Sequence, residues 1–428
     1  MIYFGKRLIT IAPAVMLAAL LCAGGAGADW PQMGGPDRTN ISPETGLARS
    51  WPENGPPELW RVSLGEGFGS PSIRDGKVYI LDRIDDEMDN LRCFDLETGE
   101  ELWNFPYESP GSVSYDGSRT APTVTEDRIY FVGVMGDFYC LDLETRLARW
   151  NRHIRRDFDE DTPRWGVPQA PVLYDDLVIV APQVRDTTVV AYHKDTGEPV
   201  WQSPRLGRLS YSMPVVHTLA GVDQVVMITA GTPSVFGLSL EDGTVLWSYD
   251  GWESKIPIPY ATALPDDRLF ITGGYRAGSA MIQVHREEDA FTVTELFTTD
   301  ACGSQIQQPL FFENHLYVNS NSNEREDGLM CLTLDGEVKW KTRDARVRWF
   351  SSPTFERGPL LLADDLIFNL DGRSGDLYLI EPSPEEYKEL AEASVLSGRQ
   401  NWAPMALSRG RLVLRSQREM VCLDVTTP

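Results

Sequence analysis

The sequence has 428 residues, of which 42% are hydrophobic, and it carries a formal net charge of −24 at pH 7. Such an excess of negative charge repels phosphate backbones and anionic lipid headgroups, so the composition argues against binding to nucleic acid or to a membrane surface. The 36 glycines and 29 prolines predict many turns. The length allows two or three ordinary domains or one large array of repeats.

The first 28 residues have the pattern of a secretory signal peptide. The basic pair Lys6-Arg7 precedes the apolar stretch Leu8–Cys22, and an A-x-A cleavage motif follows at 26–28. The apolar stretch is short for a membrane span, and the large Leu21 is unlike the small residue that precedes a lipid-modified cysteine. No later stretch is long and apolar enough to cross a bilayer. We therefore predict export, with the mature protein periplasmic or extracellular.

After the signal peptide, a proline recurs along the chain about every 40–50 residues. These prolines are Pro71, Pro122, Pro171, Pro214, Pro309, Pro353 and Pro404. The one double gap contains Ala261-Thr262 at its midpoint, which we interpret as a unit that lacks its proline. The spacing therefore predicts eight units.

Each unit has the pattern of four short strands. After the proline come an apolar run, a polar turn, a second β run, a variable loop, a third run, a turn of the T-G-E or D-G-E type, and a last strand. Four strands in about 40–50 residues are typical of a propeller blade. Only Ser383–Val395 has a helix-like pattern. The sequence therefore predicts an all-β fold, an eight-bladed β-propeller of four-stranded antiparallel blades.

The two ends of the repeat array are predicted to complete one blade together. The last unit stops after its third strand, and Glu58–Leu64 has the pattern of the missing fourth strand, with Trp60 at the position of the other terminal tryptophans. An N-terminal strand that closes the C-terminal blade removes exposed sheet edges. We therefore divide the chain into a signal peptide at 1–28, a lead segment at 29–57 and a propeller at 58–428.

Three repeated features are predicted to be structural. The acidic residues after the third strand belong to tight turns, which need Gly, Asp and Thr for backbone reasons. The large aromatic rings that end the units are predicted to pack one blade on the next; they are Trp103, Trp150, Trp201, Trp247 and Trp340. One third-strand position holds Cys93, Cys140, Cys331 and Cys422, or Ala191 and Gly237 in other units, which indicates a small buried slot. Cys302 lies outside this pattern.

The segments that lead into the first strand of each unit are predicted to ring one mouth of the central channel. They share a face with the loops between the second and third strands, and they are the least regular parts of the repeat, as binding loops often are. The candidate ligand-binding residues are Phe68, Arg119, Trp165, Gln169, Tyr211, Tyr260, Gln305, Gln307, Trp349, Asn401 and Trp402. Aromatic rings, amides and one arginine can stack on and hydrogen-bond a planar or sugar-like ligand. A water-filled channel with a polar rim is the alternative.

No catalytic or metal-binding set is predicted. Asn319–Gly328 begins like a calcium loop, but Glu324 stands where the sharp turn needs glycine and Met330 where a bidentate glutamate is needed. The acid-rich Asp82–Asn90 is interpreted as a solvated loop. The five histidines are dispersed, and the cysteines of the mature chain form no C-x-x-C motif and no disulfide framework.

The units resemble pyrroloquinoline-quinone (PQQ) repeats. The lead Asp29–Trp60, with its D-W-P-Q and G-P-D-R motifs, is similar to the opening of exported bacterial PQQ-binding-like propeller repeat proteins. Such repeats also build the quinoprotein alcohol dehydrogenases and the propeller lipoprotein of the outer-membrane β-barrel assembly machine. The resemblance implies a propeller over nearly all of the mature chain, and it leaves the activity open because one fold hosts many functions.

We therefore interpret the protein as an exported, non-catalytic and monomeric propeller that binds a protein, peptide or glycan and uses no cofactor. A quinoprotein alcohol or sugar dehydrogenase is one alternative, for which the resemblance implies PQQ with calcium. The adjacent cysteine pair of many such enzymes is absent, and no clustered Glu, Asn and Asp set is visible. A subunit like the outer-membrane protein assembly factor is the other alternative, and the missing lipid signal counts against a close match.

Overall fold

The computed structural model describes residues 28–322, 325–344 and 353–427, and these form a ring of eight β-sheets. Each sheet contains an antiparallel blade of four strands, and blade 7 gains a fifth strand. Across these ranges the helical elements are two 3-10 turns, Arg156–Phe158 and Thr342–Asp344, and no helix there is long and apolar enough to cross a membrane. The predicted all-β, eight-bladed propeller is confirmed. The predicted signal peptide lies outside the described residues except for Ala28.

The strands follow one another in the chain as the repeat pattern predicts. Two strands come before the blades, β1 Ile41–Ser42 and β2 Glu58–Ser63. Blades 1 and 2 consist of β3 Ser72–Arg74, β4 Lys77–Ile84, β5 Met88–Asp95, β6 Glu101–Glu108, β7 Thr123–Val124, β8 Arg128–Val132, β9 Asp137–Asp142 and β10 Ala148–His153. Blades 3 and 4 consist of β11 Val172–Tyr174, β12 Leu177–Val180, β13 Val190–His193, β14 Pro199–Gln202, β15 Val215–Leu219, β16 Val222–Ile228, β17 Val235–Ser239 and β18 Val245–Tyr249.

The second half of the ring repeats this order. Blades 5 and 6 consist of β19 Thr262–Leu264, β20 Arg268–Gly273, β21 Gly278–Glu287, β22 Ala290–Thr299, β23 Leu310–Phe312, β24 His315–Ser322, β25 Arg325–Thr333 and β26 Val338–Lys341. Blade 7 consists of β27 Leu360–Ala363, β28 Leu366–Leu370, β29 Asp376–Glu381 and β30 Lys388–Ser394. Blade 8 consists of β31 Ala406–Ser408, β32 Arg411–Arg415, β33 Glu419–Asp424 and, as its fourth strand, β2. The strands of a blade are called A to D from the channel outward.

The ring is closed by the N-terminal strand, as predicted. Strand β2 pairs antiparallel with β33, and Trp60 stands opposite Cys422. Both backbone edges that would otherwise face solvent are therefore paired within one sheet.

Two expectations about blade 7 were wrong. Its first strand follows Pro359 and not Pro353, because both prolines satisfy the approximate repeat spacing and strand pairing decides between them. The helix-like stretch Ser383–Val395 contains strand β30, which pairs with β29. Tertiary pairing has overridden the local helical pattern at this place.

Most terminal tryptophans pack one blade on the next, as predicted, whereas the indole N–H of Trp247 donates to Gln224 of its own blade. The Trp150 indole donates a hydrogen bond to the Lys194 carbonyl of the following blade at 2.9 Å, and Gly197 of that blade's turn lies on the ring. A Cβ on Gly197 would come within 2.6 Å of the indole, and the residue has a φ of +68°. Trp60, Trp201 and Trp340 donate in the same way to carbonyls of the next blade. The glycine of the repeated turn therefore serves both the turn and the blade interface.

The residue opposite each ring is matched to it in size. The repeated tryptophans stand opposite cysteine, alanine or glycine, in the pairs Trp60–Cys422, Trp103–Cys93, Trp150–Cys140, Trp201–Ala191, Trp247–Gly237 and Trp340–Cys331. Where the terminal residue is Phe297 or Ala391, the opposite residue is the larger Met281 or Leu379. The prediction of a small buried slot is confirmed. Burial raises the pKa of Cys93 and Cys422 to about 12, so these thiols stay protonated and inert.

The acidic turns have the predicted backbone role. Asp142 accepts hydrogen bonds from the backbone N–H groups of Glu144 and Thr145 at 3.1 and 2.9 Å, and Arg149 pairs with its second oxygen at 2.6 Å. Asp95 makes the same turn contacts in blade 1. These carboxylates organise separate turns and do not converge on a site.

We expect Asp142→Asn to weaken the acid sensitivity of the fold. The N–H bond from Thr145 and the Arg149 guanidinium lower the pKa of Asp142 from 3.8 to about 2. The stabilisation that this lowered pKa represents is present above pH 3.8 and is lost as the pH falls through about 2. Urea unfolding followed between these pH values should show a smaller loss of stability for the variant than for the wild type. The exposed Asp289 provides the control Asp289→Asn, and parallel pH profiles for Asp142→Asn and wild type would contradict the expectation.

The lead segment runs along the inner strands of the ring. Trp30 exchanges backbone hydrogen bonds with Ile73 of blade 1 at 2.9 and 2.7 Å, and β1 pairs in parallel with β27 of blade 7. The Arg38 side chain donates to the Pro171 carbonyl before blade 3 at 2.9 Å. Further contacts reach blades 2, 5 and 8 through Pro31, Arg38 and Glu44. The segment therefore crosses the channel at the level of the innermost strands.

Candidate ligand-binding site

A cavity of about 400 Å³ opens on the loop face, the side of the ring that carries the B–C loops and the D-to-A crossings. Its wall and floor are formed by Met33, Asn40, Phe68, Tyr115, Arg119, Trp165, Pro168, Tyr211, Met213, Ile256, Ile258, Tyr260, Tyr275, Gln305, Ile306, Gln307, Gln308, Arg357, Trp402 and Pro404. Most of these residues lie just before an A strand, in the crossings that lead from one blade to the next. The crossings therefore place them together at one mouth of the central channel. Met33 and Asn40 come from the lead segment, which forms the floor.

An aromatic cluster occupies one side of the cavity. The Phe68 and Trp402 rings are stacked with centroids 5.7 Å apart, and the half-exposed Tyr115 ring lies 5.9 Å from Trp402. On another side, Trp165 meets Tyr211 edge-on at 5.1 Å. These rings offer flat apolar surfaces to a ligand.

Arg119 adds a positive charge beside this cluster. Its guanidinium lies 5.7 Å from the centre of the Phe68 ring. It donates to the Gly117 carbonyl at 2.7 Å and to the carbonyls of Ser114 and Tyr115, and it forms no ion pair with an acidic side chain of the described residues. Burial lowers the pKa of Arg119 to about 10, so the group remains charged at neutral pH.

The other arginine of the cavity has an acidic partner. Arg357 forms an ion pair with Glu356, and its guanidinium lies 5.4 Å from the Trp402 ring centre. The second oxygen of Glu356 accepts the Trp402 indole N–H at 3.0 Å. The charge of Arg357 is thus balanced locally, and the pair fixes the orientation of Trp402.

The amides of the cavity bond to other parts of the wall. Gln307 donates to the carbonyls of Arg357 and Trp402 at 2.9 and 2.8 Å. Gln305 accepts from Arg357 at 3.0 Å and donates to the Tyr275 hydroxyl at 3.2 Å. The Gln308 amide, in the orientation that satisfies its partners, bonds the backbone N–H and carbonyl of Tyr260. These glutamines hold neighbouring crossings together.

The structure brings together eight of the eleven candidate residues. Those that line the cavity are Phe68, Arg119, Trp165, Tyr211, Tyr260, Gln305, Gln307 and Trp402. Gln169 is buried behind the wall, where it bonds the Ser212 carbonyl and the Ala181 N–H. Asn401 is fully buried and is not part of the lining. Trp349 lies outside the described residues.

Sequence reasoning missed several lining residues for two reasons. Arg357 precedes the true first strand of blade 7, and aligning that unit on Pro359 would have found it. Tyr275 belongs to the B–C loop of blade 5, which shares the loop face. Met33 and Asn40 lie far from any repeat, and no repeat pattern points to the path of the lead segment.

The lining residues do not fit a quinone held on a divalent cation. Such a cation requires clustered oxygen ligands, mainly carboxylates, and in the part of the chain that the structure describes no aspartate or glutamate lines the cavity. Within the described ranges, no group of three His, Cys, Asp or Glu side chains is arranged to hold a metal ion. The positive charge of Arg119 would also repel a cation.

Comparison with known proteins places the chain among propellers of this repeat type. The family model described as outer membrane protein assembly factor BamB matches residues 52–205 and 155–286. No curated protein gives a significant match.

Three solved structures illustrate the likeness of fold. A europium-containing methanol dehydrogenase aligns with a TM-score of 0.64 and 13% identity, over 90% of this chain and 89% of that one. The quinohemoprotein alcohol dehydrogenase from Comamonas testosteroni aligns with a TM-score of 0.60 and 11% identity, over 94% and 81% of the two chains. BamB from Moraxella catarrhalis aligns with a TM-score of 0.54 and 12% identity, over 86% and 97%. At such low identities the likeness concerns the fold alone.

Proposed function

The chain belongs to the propeller family described as outer membrane protein assembly factor BamB, and from this membership we propose that it is an exported, non-catalytic binding protein. It holds a protein, peptide or glycan partner on the loop face, and the cavity at the channel mouth anchors part of that partner. The signal-peptide pattern of residues 1–28 supports export.

The observation that carries this proposal is the composition of the cavity. Aromatic and aliphatic side chains form most of its lining, as in sites that bind by burial of apolar surface. Among the described residues, the lining contains tyrosines but no histidine, cysteine or carboxylate that could transfer a proton or attack a substrate. The short blades and the bonds between crossings make it a rigid site, which favours binding with little loss of conformational entropy.

We expect Trp402→Ala to weaken partner binding by about 30-fold or more, because central aromatic residues carry most of the binding energy at such sites. Partner isolated with the wild-type protein from an envelope extract would be purified, and its affinity measured by calorimetry for both proteins. The control is Leu102→Ala, since Leu102 is exposed on the outer rim of blade 1. Equal affinities for wild type and Trp402→Ala would contradict a role of the cavity.

A second candidate function is a part in outer-membrane protein assembly, which the family match favours. It predicts that the partner recovered from the envelope extract is a component of the outer-membrane barrel assembly machinery. Recovery of an unrelated partner would remove this candidate and leave the general binding proposal in place.

The dehydrogenase alternative makes an opposite prediction. If the propeller were a quinoprotein, PQQ and calcium added to the purified protein would yield reduction of an electron-accepting dye with an alcohol or sugar. We expect no turnover, because the cavity lacks carboxylate ligands for the cation. Dye reduction that depends on PQQ, calcium and the alcohol would overturn the non-catalytic proposal.

A further inference from the structure

We propose that the cavity binds an aromatic carboxylate without a metal ion, its carboxylate at Arg119 and its ring against the cluster of Phe68, Tyr115 and Trp402. This inference rests on the proposed binding function and names the chemistry of the group that is bound. The same chemistry occurs in a free aromatic acid and in the carboxy-terminal aromatic residue of a peptide.

The charge distribution around the cavity favours an anionic ligand. The protein carries a net charge of −24, yet the described residues that line the cavity include two arginines and no acidic residue. Glu356 balances the charge of Arg357, whereas Arg119 forms no ion pair with a described acidic side chain and is influenced only at longer range by the exposed Asp116. A ligand carboxylate would supply the missing negative charge.

The surroundings of Arg119 favour binding of an anion. The carbonyls of Ser114, Tyr115 and Gly117 hold its guanidinium in place, so little conformational entropy is lost when an anion binds. The group is half-buried, and desolvation lowers its pKa. In such a low-dielectric site, a charge-assisted hydrogen bond to a carboxylate is stronger than one at the surface.

The apolar surface beside Arg119 favours an aromatic ring next to the anionic group. Phe68 lies directly under the guanidinium, and Phe68, Trp402 and Tyr115 follow one another at centroid distances of 5.7 and 5.9 Å. A ring attached to the carboxylate would therefore meet aromatic side chains close to the charge. The volume of about 400 Å³ is within the range of sites for small ligands.

The amides argue against a neutral sugar as the bound group. A sugar presents many hydroxyl groups that need partners when buried. Gln305, Gln308 and the NH2 group of Gln307 are already bonded to the cavity wall, so the lining offers a buried sugar few partners, chiefly the Gln307 oxygen and the Asn40 amide. An apolar ligand with one anionic group therefore loses the fewest hydrogen bonds to water when it enters the cavity.

The direct test is calorimetry of the purified mature protein with 2-naphthoate and its uncharged isostere 2-naphthamide, both in the presence of EDTA. We expect naphthoate to bind and naphthamide to bind about tenfold more weakly or worse, because the amide cannot satisfy the charge of Arg119. Arg119→Gln should weaken naphthoate binding about tenfold or more and remove the difference between the two ligands. The control Arg399→Gln removes the same charge from an exposed residue in the crossing that also contains Trp402, and should change affinity by less than about twofold.

A pair of peptides distinguishes the two sources of the carboxylate. Tighter binding of Gly-Gly-Phe than of naphthoate, with weak binding of the peptide's C-terminal amide, would identify a peptide carboxy-terminus. The reverse order would identify a free aromatic acid.

Three results would overturn the proposal: no binding of either acid, equal affinities for acid and amide, or binding that requires calcium. Circular dichroism shows whether Arg119→Gln is folded, and if it is not, the comparison of acid and amide on the wild type still decides. Partner binding that depends on Trp402 but no acid binding would mean that the ligand class is wrong and the binding function stands. If the acid binds but Trp402→Ala does not change partner affinity, the ligand class is right and the proposed role of the cavity in partner binding is wrong.

Discussion

Replacing Trp201 by alanine is expected to lower the free energy of unfolding by about 3–5 kcal/mol. The ring is only 7% exposed, and its indole N–H donates to the Leu240 carbonyl of blade 4 at 2.8 Å. Gly243 packs so closely on the ring that an added Cβ would lie 2.5 Å from it. Truncation therefore leaves a cavity between blades 3 and 4 and an unpaired carbonyl. Guanidinium denaturation followed by circular dichroism measures the effect.

Two variants on the same strand control for this result. Val200 is 52% exposed, so Val200→Ala should change the unfolding free energy by less than about 0.5 kcal/mol. Trp201→Phe keeps part of the ring and loses the bond to Leu240, so its loss should be intermediate, about 1–2 kcal/mol. If Trp201→Ala and Val200→Ala unfold alike, the tryptophan does not join the blades energetically.

Trp30→Ala is expected to release the lead segment from the channel. Trp30 is fully buried, its backbone pairs with Ile73, and Gly35 lies on its ring. Loss of a buried indole costs about 3–5 kcal/mol. The few remaining hydrogen bonds of the lead segment contribute less than this to its docking free energy. Limited proteolysis with mass spectrometry should then show rapid cleavage within residues 29–48 while the blades resist.

The same variant also tests the cavity floor. Met33 and Asn40 lie a few residues beyond Trp30 and reach the cavity only while the segment is docked, so naphthoate binding should weaken as well. Asp37→Ala is the control, because Asp37 is exposed on the same segment. A wild-type cleavage rate for Trp30→Ala would show that other contacts suffice to hold the segment.

The architecture was predictable because the features that specify it are local and repeated. Each blade carries its own strand pattern and turn, and an error in one unit is corrected by the others. The misplacement of blade 7 shows where this logic fails: Pro353 and Pro359 both suit the spacing, and the pairing of Leu362 with Ile367 selects the second. The stretch Ser383–Val395 shows the same limit. It forms a strand because it pairs with β29, although its own pattern is helical.

The candidate site was predictable in part for a related reason. A residue just before an A strand must lie at the channel mouth in any closed propeller, so Phe68, Arg119 and Trp402 could be named from their position in the repeat. Position does not say whether a side chain faces the cavity, and Gln169 and Asn401 are buried behind the wall instead. Burial depends on neighbours from other blades.

The sequence by itself determines the number of blades, the closure by Glu58–Leu64 and the face on which a site can lie, because these follow from periodicity and turn chemistry along the chain. The path of the lead segment, the cavity floor at Met33 and Asn40, and the pairing of Glu356 with Arg357 depend on contacts between residues far apart in the chain. Such long-range contacts leave no periodic trace in a sequence, and they decide what the cavity can bind.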